Sequence, residues 1–348
     1  MRRFTGKEIW KQLKADLIGK DSFRGVSLTY SWLANQWGHF SLGFIPTLLL
    51  HLYYHEKDSF DRPAMVSMLC IAALWTLFEL YNFIMPILNK RSSKSTWVYI
   101  PSKQVKFRPP WKHVAFDTGT DLLYFYLGII CAGIFLEGDP LYYYILIALV
   151  LLILYPTYHW YTTKMYLQYA NYPIQKRLSQ WEGYIDPTEK SIVESFIAEG
   201  SPGKHLLVYG SDIRNISDLG VGILTEKSNK KHTCCYFTAV KLYQVFEDEK
   251  PEEGPGFWNW ASAEYLAIDD INTTVSENRP LIKASEFLTT IQSSEREIEP
   301  ILREKNVVWI LGSYVDAYKK AMSWKDMLMS IGVEAERIET IKIEKETK

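Results

Sequence analysis

Two groups of residues in this chain have types and spacing that could do chemistry. The first group lies within apolar runs. Asn35, His39 and Gly43 recur at every fourth position, Trp75, Glu79 and Asn82 share one helical stripe, Asp117 and Asp121 stand four apart, and His159 ends a fourth run. Ionisable side chains in apolar surroundings are costly, so they turn toward one another, a cavity or a ligand. Three roles fit Asn35, His39, Glu79, Asn82, Asp121 and His159: hydrogen bonds between helices, a site for a ligand such as a lipid headgroup or quinone, or passage of protons or ions. Asp117 also suits a helix cap. No metal site is expected, and the histidines suit interfacial or packing positions. His51 and His55 are four apart but approach an interface, no Cys-x-x-Cys occurs, and His39 and His159 lie at different depths for a shared haem.

The second group is the stretch His205 to Ser217, His-Leu-Leu-Val-Tyr-Gly-Ser-Asp-Ile-Arg-Asn-Ile-Ser. An apolar run meets Gly210, turns into a loop, and gives way to a helical pattern over 218–225. A phosphate-binding loop sits in this context and needs G-x-x-x-x-G-K-[ST]: glycines for close backbone approach, lysine for the terminal phosphates, a hydroxyl for magnesium. Gly210 and Ser217 have the correct separation, but Asn215 replaces the second glycine and Ile216 replaces the lysine. Arg214 is the nearest substitute cation. Downstream, a buried run from Glu264 ends in Asp269 and Asp270, where a strand end can present carboxylates to magnesium. Without the lysine no turnover is expected and no cofactor is called for; nucleotide with magnesium would need Arg214 as its cation.

The segments Val208-Tyr-Gly, Leu219-Gly-Val-Gly-Ile-Leu, Phe237-Thr-Ala-Val-Lys-Leu and Leu266-Ala-Ile-Asp-Asp resemble the P-loop NTPases, in the replication-initiator and helicase-loader branch of the AAA+ family. The resemblance spans residues 203–345 and implies a mostly parallel sheet, with Gly210, Arg214, Ser217, Asp269 and Asp270 at a degenerate nucleotide site. The tract leaves little room for the helical lid of that family. Nor does a G-x-S-x-G or Rossmann glycine pattern occur, since Gly220-Val-Gly222 falls inside a helical pattern.

These groups must be positioned by two different kinds of element. Apolar stretches at 27–54, 64–88, 119–136 and 141–162 approach the ~20 residues that cross a bilayer. The third is shortest, and the fourth should emerge and continue as helix toward Trp181. Aromatic residues make up 15% of the chain and cluster at the ends of these runs, as at membrane interfaces. Seven Lys/Arg precede the first stretch and seven lie between Lys90 and Lys112, so positive-inside logic puts both termini and the 89–116 loop in the cytoplasm. Residues 1–25 carry a stripe of Ile9, Trp10, Leu13 and Leu17, suited either to an anionic membrane surface or to packing on the protein itself.

From Asp186-Pro-Thr-Glu, a capped helix start, the pattern alternates strand and helix. The expected architecture is therefore an amphipathic segment (1–25), a membrane bundle of four helices (26–185) and a cytosolic α/β domain (186–348). The Pro/Gly-rich loop 250–256 precedes Phe257-Trp-Asn-Trp260, aromatics that could fold back on the sheet, rest on the membrane or meet a partner. A net charge of -1 argues against an obligatory nucleic-acid partner, and four cysteines in apolar segments read as reduced packing residues. The expected function is a non-catalytic inner-membrane subunit, scaffold or regulator, in contact with lipid and with other subunits. A membrane-tethered NTPase and a small transporter or ligand sensor are the alternatives.

Overall fold

The computed structural model describes residues 3–18, 26–88, 106–108, 110–198, 202–247, 258–272, 282–294, 297–313 and 315–345. Most of the basic loop between the second and third apolar stretches, the 250–256 loop, Phe257 and the end of the charged tail fall outside these residues. The chain divides into two units, a helical one over Phe4–Gln104 and Pro109–Lys164, and an α/β one over Met165–Lys348 with Val105–Arg108 and Met1–Arg3.

The helical unit begins with α1 (Gly6–Ile18). Four longer helices follow: α2 (Leu28–Glu56), α3 (Pro63–Leu88), α4 (Trp111–Glu137) and α5 (Pro140–Tyr169). Among the described residues, three helices are long and apolar enough to cross a membrane, at Pro63–Ile84, Trp111–Glu137 and Pro140–Tyr169. α2 is not among them, because Asn35, Gln36, His39, His51 and His55 lower its mean hydropathy. The third stretch is longer than its apolar core suggests. α4 starts after Pro110, so Asp117 lies within the helix rather than at its cap. α5 stops short of Trp181, at Tyr169: Asn171 is left-handed (φ 57°) and Pro173 follows.

α1 is inverted relative to a helix docked by its apolar side. Gln12 and Asp16 are its buried residues, whereas Trp10, Leu17 and Ile18 are exposed. Asp16 accepts from Gln12 Nε2 (2.9 Å), Ser27 Oγ (2.8 Å) and the Tyr161 hydroxyl (2.8 Å), and Gln12 also donates to Thr29 Oγ1 (3.1 Å). A charge-assisted network of this kind holds the polar side inward.

In the α/β unit, α6 (Pro187–Ala198) precedes β1 (His205–Gly210), α7 (Ile213–Asn229), β2 (Cys234–Thr238), α8 (Ala239–Glu247) and β3 (Tyr265–Asp269). Then come α9 (Ala284–Ser293), α10 (Ile298–Glu304), β4 (Asn306–Gly312), α11 (Ala317–Ser330) and β5 (Ile338–Lys342). All strand pairs are parallel, in the order β2-β3-β4-β1-β5. Side chains alternate between faces. Leu206, Val208, Val308 and Ile310 join Ile216, Leu219 and Ile223 of α7 in one core, with Phe107 and Trp181 added from outside the sheet. Trp309 points the other way, against Phe287 and Trp324. Gly220 lets α7 lie close to the sheet, since a Cβ there would stand 2.4 Å from Ile310 Cδ1.

The aromatics after the 250–256 loop fold back. Trp258 and Trp260 are buried, and Trp258 Nε1 donates to the Cys234 carbonyl (3.0 Å). All four cysteines are free; Cys70 is exposed, Cys131 half-buried, and Cys234 and Cys235 buried.

His205, at the start of β1, is buried and accepts from Trp309 Nε1 through Nδ1 (3.0 Å). Burial pushes its pKa from 6.5 down to about 4, and protonating Nδ1 would set two donors face to face. The folded state thus keeps His205 neutral while the unfolded chain takes up a proton near pH 6.5. Its contribution is complete above that pH and is lost as pH falls toward 4, by up to about 3 kcal/mol. Melting of the α/β unit should therefore shift down over this window, and His205→Gln should flatten the shift. An unchanged slope in that variant would refute the assignment.

Candidate functional site

The polar residues of the first group lie on three helices that approach closely. A Cβ on Gly43 of α2 would stand 2.1 Å from the Phe125 carbonyl oxygen of α4, and one on Gly128 would stand 2.0 Å from that of Phe40. Only hydrogen at both positions lets the two backbones touch. α3 is tied to the same place by Trp75, which stacks on Phe125 (4.4 Å between ring centres) and donates from Nε1 to the Leu42 carbonyl (2.9 Å).

One turn before Gly43 stands His39, and Asp121 lies two turns before Gly128. His39 Nε2 lies 3.8 Å from Asp121 Oδ1. Glu79 of α3 is 5% exposed and completes the group: one ligand atom from each of His39, Glu79 and Asp121 lies within 4.8 Å of the others. Gln36, 2% exposed, donates from Nε2 to Asp121 Oδ1 (3.1 Å) and leaves Oε1 without a partner; His39 Nδ1 also has none. Asn35 Nδ2 stands 2.9 Å from His39 Nε2, and Asn82 hydrogen-bonds Glu79. His39 lies beside the two acids. His159 is elsewhere, among His113, Phe116, Tyr155 and Trp160. Gln36 carries no signal of its own in the sequence, although its position three before His39 puts it on the same side of a helix.

The second group is arranged differently from a phosphate cradle. Only Ser211 and Asp212 separate β1 from α7, so Arg214, Asn215, Ile216 and Ser217 all lie in the helix rather than in a loop. The helix starts this early because the Asp212 carbonyl accepts from Ile216 N (3.0 Å) and its carboxylate accepts from Asn215 Nδ2 (2.6 Å). Ile216 is fully buried in the core, and Arg214 is exposed. Gly210 has φ 139°, and a Cβ there would stand 1.9 Å from the Ile343 carbonyl oxygen, so glycine is required.

Ser217 and Asp269 do meet. Ser217 Oγ donates to Asp269 Oδ1 (3.1 Å), the Tyr236 hydroxyl donates to Oδ2 (2.7 Å), and Asp270 N donates to Oδ1 (2.7 Å). Burial raises the Asp269 pKa, against the lowering effect of these bonds, and burial and the neighbouring carboxylate raise that of Tyr236. Asp270 leaves the strand left-handed (φ 58°) and exposed. A separate cavity of about 500 Å³, lined by Asn272, Lys283, Lys320, Trp324 and Met327 among others, contains none of these residues. A scan against protein-family models finds no match to the chain, and a search of curated proteins returns none either.

The glycine contact between α2 and α4 makes a clean comparison. Gly128→Leu should destabilise the helical unit in mild detergent by roughly 1–3 kcal/mol or more, as overpacking does. Gly119→Ala, on the same helix with nothing within 4 Å of its new Cβ, should not lower melting. Equal effects would rule out the close approach.

Proposed function

We propose that the protein is a multi-pass inner-membrane protein that presents a non-hydrolysing, P-loop-like α/β domain as a cytosolic docking module, serving as subunit, scaffold or regulator of a membrane assembly. The observation that carries this reading is the state of the second group. The residue at the lysine position, Ile216, is sealed in the core, while the hydroxyl and acid that would serve magnesium are bonded to each other. Phosphoryl transfer depends on electrostatic stabilisation of the phosphates, and the two-residue connection before α7 offers no cradle for them. The AAA+-like resemblance then describes a retained frame without its chemistry.

In this reading α2 is the fourth span, carrying Gln36 and His39 inward toward Asp121 of α4. α1 lies on the cytoplasmic surface, its Trp10, Leu17 and Ile18 in the headgroup region and exposed Lys7, Lys11 and Lys14 near anionic lipid.

Purified full-length protein should show no saturable ATP or GTP binding at millimolar ligand with magnesium. Its melting temperature should not rise with nucleotide, since a ligand of the folded state stabilises by RT ln(1 + [L]/Kd). Other subunits should co-purify from native membrane in mild detergent. Magnesium-dependent hydrolysis that Asp269→Ala abolishes would replace the scaffold with a tethered NTPase.

Orientation has its own test. In a background without native cysteines, Ser59→Cys should react with an impermeant thiol reagent in sealed cells and Ser92→Cys should not. The reverse pattern would invert the topology.

A further inference from the structure

We propose that His39, Glu79 and Asp121 form a binding site for one divalent first-row transition-metal ion, of the manganese, iron or zinc class, inside the helical unit. Their three candidate ligand atoms lie within 4.8 Å of one another. Ligands about 2.1 Å from a common ion stand roughly 3–4 Å apart, so small side-chain rotations bring the set to coordinating geometry. The donors decide the class of ion. Imidazole disfavours magnesium and calcium relative to first-row transition metals, and two carboxylates disfavour soft copper(I).

Charge points the same way. Two carboxylates removed from water need compensation, and one divalent ion cancels both. Asp117 adds a further negative field at all three residues, and Lys164 offsets it at Asp121. A self-sufficient hydrogen-bonded cluster would leave no donor or acceptor idle. Here the His39–Asp121 separation of 3.8 Å is too long for a hydrogen bond, and His39 Nδ1 has no partner. Independently, Gln36 is 2% exposed, reaches Asp121 through Nε2, and keeps an unpartnered Oε1. A buried amide aimed at the cluster with an idle oxygen suits a further ligand or an orienting group for a metal-bound water.

The test uses full-length protein in mild detergent, stripped with chelator and dialysed against Mn2+ or Zn2+. The His51→Gln/His55→Gln background removes one closely spaced histidine pair, whose rings are 5.7 Å apart, and His39→Gln separates the site from the remaining pair, His113 and His159. About one equivalent of metal per chain should be retained, and bound Mn2+ should show nitrogen coupling from imidazole in pulsed electron paramagnetic resonance. Glu79→Gln and Asp121→Asn, which keep size and hydrogen bonding, should each weaken binding at least tenfold, and His39→Gln should remove the nitrogen coupling. Retention below a tenth of an equivalent, or binding unchanged in Asp121→Asn and His39→Gln, would overturn the site. Should a variant fail to fold, the unsubstituted residues decide: no nitrogen coupling and no metal-dependent rise in melting temperature reject the proposal.

Discussion

The approach of α2 to α4 at Gly43 and Gly128 is the contact on which the helical unit turns. Between apolar helices in an apolar medium little hydrophobic drive remains, so close packing and polar contacts must supply the association. Two missing side chains bring backbones together, and this closeness leaves Phe125 wedged between the His39 ring and the Trp75 ring. The same packing brings a residue from each of three helices to one point. His39, Glu79 and Asp121 are thus neighbours because of residues that carry no chemistry themselves.

The α/β unit solves the opposite problem. Its strands are apolar on both faces, as expected of a parallel sheet covered on two sides, and several of the polar residues that remain buried there are bonded within the chain itself, although Thr225 Oγ1, Asn229 Oδ1 and Asn272 Oδ1 are not. Asp269 takes three hydrogen bonds, and Lys227 Nζ bonds the Tyr265 hydroxyl (2.8 Å) while burial lowers its pKa to about 8. The Cys234 thiol, pushed up to about 12 by burial, is chemically quiet.

What could be read from the sequence follows from range. Strands such as Asn306–Gly312 and the capped helix at Asp186 announce themselves through local composition, and both stand where local rules put them. Ser217 and Asp269 were legible separately, as a hydroxyl after a glycine turn and an acid at a strand end, but not as a bonded pair. Three features were not legible. The start of α7 at Ile213 rests on Asp212 and Asn215, an ordinary pair in sequence. The end of α5 rests on the left-handed Asn171 before Pro173, whereas apolar periodicity continues past both. The convergence of His39, Glu79 and Asp121 spans three helices, so no linear spacing encodes it.

The inversion of α1 links these scales. Read as a stripe, Ile9, Trp10, Leu13 and Leu17 leave two docking modes open, and the polar residues on the other side decide between them. Asp16 buried against Ser27, Gln12 and Tyr161 gains charge-assisted bonds that an aqueous surface would screen. Turning the helix over would bury the stripe but carry Asp16 away from Ser27 and Tyr161, and Gln12 away from Thr29, leaving those groups to find other partners. An exposed Trp10, Leu17 and Ile18 is unfavourable in water and favourable at a lipid interface. The polarity of this one helix is consistent with the bilayer, rather than water, as the medium around the helical unit, and that is the medium in which the cost of an uncompensated Glu79 or Asp121 is greatest.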